Sequence, residues 1–273
     1  MIVYPNAKIN IGLNIVERRN DGYHNISTLF YPIKDLRDIL EVSIASTHSE
    51  PLEFKQTGIA IDCTEENNLC IKAHRLMSKA CPLPPIKMHL HKIIPMGAGL
   101  GGGSSNGAFA LKAINDLVGK PLTKEKLNEL ALELGSDCPF FVMNEPCIGE
   151  GRGEILEPFN IDLSGFYILL VNPGIHVNTG KAYSLSKPTP WRIPLDCLLN
   201  ENIRYWKDSI GNDFENVVFE QHPEIKKIKH TMYDLGAIYA SMSGSGSTVF
   251  GLFKSEPKFT SFFEGYFTKI TKL

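Results

Sequence analysis

The sequence predicts a two-lobed α+β protein, and three observations carry that prediction. A period-two strand opens the chain, a strand runs straight into a glycine-rich loop and helix at 95–105, and a glycine-serine turn divides two apolar runs within 237–253. Amphipathic helices stand among the strands, and no internal repeat or low-complexity tract interrupts them. The division is expected near 155–160, giving an N-terminal lobe at 1–157 and a C-terminal lobe at 158–273.

Each element follows from local pattern. At 7–15, Ala7, Ile9, Ile11, Leu13 and Ile15 alternate with Lys8, Asn10, Gly12 and Asn14, which predicts a half-buried strand. Asp21-Gly22 makes a turn, and 23–30 returns as a second extended segment. Further strands are expected at 39–45 and 52–61, a helix at 67–80 with Leu69, Ala73, Leu76 and Met77 on one stripe, and a strand at 86–94. Helices follow at 105–118 and 124–134, a strongly apolar strand at 165–171, and a lysine-rich amphipathic helix at 223–235. Three prolines in the nine residues 186–194 mark a surface excursion.

Composition narrows the function. Of 273 residues, 43% are hydrophobic and 21% charged, near the globular average, which excludes collagen-like, coiled-coil and disordered classes. Lys plus Arg number 28 against 30 Asp plus Glu, so the basic excess of a nucleic-acid binder is absent. Cysteines at 63, 70, 81, 138, 147 and 197 form no C-x-x-C pair, against a zinc ribbon or thioredoxin-type site. The first residues lack a charged n-region followed by an apolar one. The uncharged stretches 95–111 and 236–253 hold too much glycine or too many hydroxyls for a bilayer span. A reduced, cytoplasmic, soluble protein is expected, with no nucleic-acid or membrane partner and with the sequon Asn25-Ile26-Ser27 idle.

The loop Pro95-Met96-Gly97-Ala98-Gly99-Leu100-Gly101-Gly102-Gly103-Ser104-Ser105 suits an anion. Glycines let backbone N–H groups approach a phosphate, and a helix N-terminus adds about half a positive charge. Gly97, Gly99 and Gly102 match G-x-G-x-x-G, but the preceding strand is polar and no acidic residue ends a second strand near 122. Gly103 stands where a Walker A loop has its lysine, so the compensating cation must come from elsewhere. Lys8, on one strand face with Asn10, is the candidate. Asp137 either caps a helix with Pro139 in its first turn or serves as a general base toward a hydroxyl. His89 and His91 form H-x-H, read as a strand face rather than a metal pair for want of a third ligand. Ser184 and Lys187 match S-x-x-K without the accompanying S-D-N or K-T-G, and are set aside.

Three motifs stand in order: Pro5-Asn6-Ala7-Lys8-Ile9-Asn10, the 95–105 loop, and Ser241-Met242-Ser243-Gly244-Ser245-Gly246-Ser247-Thr248. Together they resemble the GHMP small-molecule kinase superfamily. The runs Asp21-Gly22-Tyr23-His24, Gly135-Ser136-Asp137-Cys138-Pro139-Phe140-Phe141 and Gly151-Arg152-Gly153-Glu154 resemble its branch that acts on a cytidyl-diphosphate-linked methylerythritol in the non-mevalonate isoprenoid pathway. The resemblance implies an N-terminal ribosomal-protein-S5-domain-2-like lobe, a C-terminal ferredoxin-like lobe, and ATP and acceptor meeting in the cleft between them. It implies Lys8 and Asp137 as catalytic residues, and residues 95–105 as the ATP loop with Asn68 as a further nucleotide contact. Mg2+ is expected with ATP; Ser104 or Ser105 has a hydroxyl to offer it, and the sequence assigns it no protein ligand. The resemblance also implies that Asn10 contacts the acceptor, that Tyr23 and His24 stack on and hydrogen-bond the cytosine, and that Tyr183 stands on its other side where the family has phenylalanine. Gly244, Ser245 and Gly246 then support the phosphates or the acceptor diphosphate. A homoserine or sugar kinase of the superfamily is expected to lack Tyr23-His24, and a non-catalytic sensor to lose Lys8 or Asp137.

Overall fold

The computed structural model describes residues 1–60, 64–190, 192–258 and 262–273, so Cys63 and the last expected residue of the 52–61 strand lie outside the described residues. In chain order the elements are β1 (Ile2–Val3), β2 (Asn6–Arg18), β3 (His24–Arg37), β4 (Ile39–Ile44), β5 (Leu52–Gly58), α1 (Leu69–Ala80), β6 (Ile86–Lys92), α2 (Gly102–Leu117), α3 (Lys124–Leu134), α4 (Cys138–Met143), β7 (Cys147–Glu150) and β8 (Ile155–Pro158). There follow β9 (Tyr167–Asn172), α5 (Thr179–Leu185), α6 (Leu195–Leu199), α7 (Trp206–Ser209), α8 (Phe214–Gln221), α9 (Pro223–Asp234), β10 (Tyr239–Met242), β11 (Val249–Phe253) and β12 (Phe267–Lys272). Among the described residues three four-stranded sheets form, in the orders β1-β4-β6-β5, β2-β3-β7-β8 and β10-β11-β9-β12. The chain divides into two compact units, one of Met1–Ala7, Ile33–Met96 and Gly101–Glu145, the other of Lys8–Pro32, Gly97–Leu100 and Pro146–Leu273. No helix among the described residues is long and apolar enough to cross a membrane.

In the second unit, β9 is the centre of an all-antiparallel sheet, pairing Leu169 with Gly251 on one side and with Ile270 on the other. Buried Leu169, Val171, Ala240, Met242 and Val249 meet Leu13, Ile15 and Ile26 from β2 and β3, and Phe214, Val218, Ile225, Ile228 and Met232 from α8 and α9, in one core. Proline at the start of α9 suits a first turn whose N–H groups lack helical partners. The expected half-buried strand at 7–15 is corrected here: both faces of β2 are buried over 6–15, with Lys8 at 4% and Asn10 at 2% exposure. Its polar face escapes water because its groups find partners within the protein.

In the first unit, β4 and β6 run antiparallel and β5 joins β6 in parallel. Leu40, Val42, Ile86, Met88 and Leu90 alternate into the interior, where Ala73 and Met77 of α1 and Ala110, Leu111 and Ile114 of α2 are also buried. Asn68 caps α1 by accepting from the Cys70 N–H at 2.9 Å, and Thr123 caps α3 through the Lys126 N–H at 3.3 Å. The helix expected from 105 begins at Gly102, one turn earlier, with Gly101 in the left-handed region as its N-cap. Low glycine propensity hides that first turn from a pattern reading.

One carboxylate joins both flanks of the glycine loop. Asp38 accepts from the N–H groups of Ile93 (2.6 Å) and Ile94 (2.8 Å), from Lys92 Nζ (2.5 Å) and from the Asn106 amide (2.8 Å). The Asp38 and Lys92 side chains are fully buried. Burial pushes the Lys92 ammonium below the usual lysine range, and the Asp38 charge and hydrogen bond oppose that. Asp38→Asn should therefore destabilise the fold by about 3–5 kcal/mol, because it leaves a buried ammonium without its counter-charge. Adding Lys92→Met should recover part of the loss; urea unfolding of the wild type, single and double variants measures both.

Candidate active site

The second unit assembles a buried polar chain from β2 outward. Lys8 Nζ donates to Asn10 Oδ1 at 2.5 Å, the Asn10 amide donates to Thr28 Oγ1 at 3.1 Å, and Thr28 donates to the Gly12 carbonyl at 2.5 Å. The Lys8 ammonium also lies 5.2 Å from the centroid of the Phe30 ring. Alternation on a strand places residues 8 and 10 on one face, as the sequence predicts. The tip of the glycine loop joins them: the Lys8 N–H donates to the Leu100 carbonyl at 3.0 Å, and Ser243 Oγ donates to the Gly99 carbonyl at 2.8 Å while accepting from the Asn10 N–H at 3.2 Å. Gly99 has φ +75°, and a Cβ there would sit 2.0 Å from the Ser243 carbonyl oxygen. The loop's tip and the 241–248 motif can approach this closely only without a side chain.

That motif is held by residues the sequence reading passed over. Asn212 donates to the carbonyls of Met242 (2.7 Å) and Gly244 (2.8 Å) and accepts from the Phe214 N–H at 2.9 Å. Glu215, itself paired with Lys229 at 2.6 Å, accepts from Ser241 Oγ (3.1 Å) and the Met242 N–H (2.8 Å). Ser245 shares a hydrogen bond with Thr179 and Ser247 donates to the Ile175 carbonyl, so the serines of the motif are tied into the fold. Asn212 and Glu215 flank the start of α8 without any motif of their own; only position 30 residues from the glycine-serine turn relates them to it, and a local reading does not see that.

Beside this chain stands an aromatic group. The His24 ring stacks on Tyr183 at 4.9 Å between centroids and 16° between planes, and Tyr183 meets Phe214 edge-on at 4.8 Å. Burial holds the His24 imidazole below its ordinary value of 6.5, and the nearby Arg18 charge acts the same way. Tyr23 is 54% exposed, with its N–H fixed by Asp21 Oδ1 at 3.1 Å. The structure thus brings Tyr183 against His24.

The first unit holds the remaining predicted residues. A Cβ on Gly102 would lie 2.8 Å from Lys92 Nζ and 3.0 Å from the Ile94 side chain, so the start of α2 rests directly on the strand beneath it. In that first turn Ser105 Oγ and Asn106 Oδ1 are buried without a hydrogen-bond partner, and the Ser105 hydroxyl is able to donate to an oxygen-rich ligand at this helix N-terminus. Ser104 hydrogen-bonds the Cys138 thiol, which burial pushes up to about 12. Asp137 is the N-cap residue of α4, but its side chain makes no capping hydrogen bond there. Asn68 spends its amide oxygen on α1.

The motifs set aside have structural partners. Thr57 Oγ1 bonds both His89 Nε2 and His91 Nδ1 at 2.9 Å, and Ser184 donates to the Lys181 carbonyl at 2.8 Å. Among the described residues no group of three or more His, Cys, Asp and Glu side chains forms a metal-binding cluster. A cavity of about 390 Å³ in the second unit, lined by Asn14, Val16, Phe159, Arg192 and Leu195 among others, contains none of the predicted site residues.

Residues 68–145 match the family described as GHMP kinases N terminal domain, and residues 195–263 match GHMP kinases C terminal. The 4-diphosphocytidyl-2-C-methyl-D-erythritol kinase of Parabacteroides distasonis is 46% identical over 95% of this chain and 94% of its own length. The enzyme of that name from Bacteroides fragilis is 46% identical over the whole of both. A crystal structure of 4-(cytidine 5'-diphospho)-2C-methyl-D-erythritol kinase superposes with a TM-score of 0.79 at 34% identity, covering 92% of this chain and 90% of that one. Homoserine kinase from Cytophaga hutchinsonii shares the fold at 16% identity and a TM-score of 0.71, covering 98% of this chain and 94% of that one. Both the two matched GHMP segments and the 46% identity over essentially full length say the same: the chain belongs to the GHMP kinases and, within them, to the 4-diphosphocytidyl-2-C-methyl-D-erythritol kinase family.

Proposed function

We propose that this protein transfers the γ-phosphoryl group of ATP to the 2-hydroxyl of 4-diphosphocytidyl-2-C-methyl-D-erythritol, giving the 2-phosphate and ADP in the methylerythritol phosphate route to isoprenoids. The observation that carries the reading is the buried Lys8–Asn10–Thr28 chain, whose Lys8 N–H is hydrogen-bonded to the tip of the glycine loop; it supplies a cation that the loop's own sequence lacks. Lobes at 1–157 and 158–273 remain our division of labour, with ATP assigned to the first.

Phosphoryl transfer leaves the protein little covalent work, so catalysis is positioning and charge neutralisation. Asp137 takes the proton of the acceptor hydroxyl as its oxygen bonds to the γ-phosphorus, and the bond from that phosphorus to the β,γ-bridging oxygen breaks to release ADP. Lys8 neutralises the charge that develops on the transferring group, held in place by Asn10. The backbone of residues 95–105 and the α2 N-terminus cradle the phosphates, with Asn68 at the nucleotide and Gly244, Ser245 and Gly246 at a diphosphate. Mg2+ bound with ATP would neutralise phosphate charge, and Ser104 or Ser105 would be the loop residue whose hydroxyl could hold it. Tyr23 stacks on the cytosine, His24 hydrogen-bonds its edge, and Tyr183, which stacks on His24, stands on the other side of the base.

Asp137→Asn keeps the shape of the side chain and removes the base. In protein that still folds, kcat should fall by about 10²-fold or more; unaltered turnover would remove Asp137 from the chemistry. Gly99→Ala forces a methyl into the Ser243 carbonyl and a positive φ onto alanine, so ATP binding by calorimetry should be lost or nearly so even in protein that still folds. Tyr23→Ala should weaken the acceptor about 5- to 150-fold, the range of base stacking, with ATP affinity unchanged and with CMP competing in the wild type.

The pH dependence follows from His24. Its folded value is lowered, so the neutral ring persists below 6.5, and what it contributes is complete above 6.5 and lost as pH falls through the folded value. Acceptor KM should therefore stay flat just under pH 6.5 and rise only at lower pH, and this acid limb should be missing from His24→Gln.

A further inference from the structure

The exposed Tyr23 ring is held by a cation. The turn between β7 and β8 reads Gly151-Arg152-Gly153-Glu154 and is pinned to the second strand of its sheet, since the Ile26 N–H donates to the Gly151 carbonyl at 2.7 Å. Glu154 accepts from the Arg152 N–H at 2.5 Å and pairs with its Nε at 3.4 Å, and the two side chains are 30% and 17% exposed. So fixed, the Arg152 guanidinium lies 4.9 Å from the centroid of the Tyr23 ring.

A tyrosine that is 54% exposed would otherwise sample several rotamers and lose that freedom on binding a base. A guanidinium on one ring face stops that motion and leaves the opposite face for stacking. We propose that Arg152 is a specificity-determining positioning residue, whose guanidinium holds Tyr23 by one face and so presents the other to the pyrimidine of the acceptor. This rests on the reading of Tyr23 as the base-stacking ring. Arg152 takes no part in the transfer itself. Its side chain belongs to the acceptor-reading half of the site, and ATP does not feel its removal.

The test uses the full chain with Arg152→Met, which keeps length and apolar stem, and Arg152→Lys, which keeps the charge. Acceptor KM and the inhibition constant of CMP should rise together by about two- to fivefold in Arg152→Met, the effect of one exposed cation–π contact. kcat, ATP KM and the melting temperature should hold, and Arg152→Lys should retain part of the wild-type affinity. On a Tyr23→Ala background Arg152→Met should add nothing, because the ring it orders is gone. A wild-type CMP constant in Arg152→Met, or an equal loss on the Tyr23→Ala background, overturns the proposal while leaving the base-stacking reading intact. A wild type that CMP does not inhibit overturns both.

Discussion

An ammonium group is costly to remove from water unless a partner accepts its hydrogen bonds, and Lys8 is 4% exposed on a strand buried on both faces. Much of the second unit is arranged around meeting that cost. Asn10 accepts from Lys8, Thr28 orients Asn10, and Ser243 takes the Asn10 N–H while donating to the loop tip. The same bonds that make the charge tolerable also make it stationary. A lysine with rotamer freedom would have to order itself at each turnover, whereas this one is preorganised by the fold.

The second layer is less obvious but no less specific. Asn212 touches the backbone of the 241–248 motif through its amide nitrogen and caps the turn carrying Phe214 through its oxygen. Phe214 meets Tyr183, and Tyr183 backs His24. The ring assigned to the base and the turn assigned to a diphosphate are thus anchored on one buried amide. Rigid support of this kind on elements of regular structure places functional groups more accurately than loops do alone.

The legible parts of this chain are those whose cause is local. Alternation along β2 put Lys8 and Asn10 on one face, glycine density marked the 95–105 loop, and the 3.6-residue stripe found α1, α3 and α9 to within a few residues. The first turn of α2 was hidden because glycine is a poor helix former, although Gly101 in the left-handed region starts the helix there. Burial of the polar face of β2 is hidden for a related reason: the partners of Asn10, Thr28 and Ser243, are 18 and 233 positions away, and composition along a strand does not encode them. The short helices α4 to α8 and the strands β7, β8 and β12 lack a strong period of their own and form because tertiary packing supports them.

Asp38 fastens the chain at Ile93 and Ile94 on one side of the glycine loop and at Asn106 on the other. A tether at both ends turns the intervening stretch into a closed span of set contour. Insertion or deletion of a single residue between them would have to be absorbed by the carboxylate's own bonds, by the left-handed start of α2, or by the contact of Gly99 with Ser243, and each is already close-fitted. The number of residues in this span is therefore under tighter restraint than the identity of several of them. Where members of such a family diverge, length should be the last property of this segment to change.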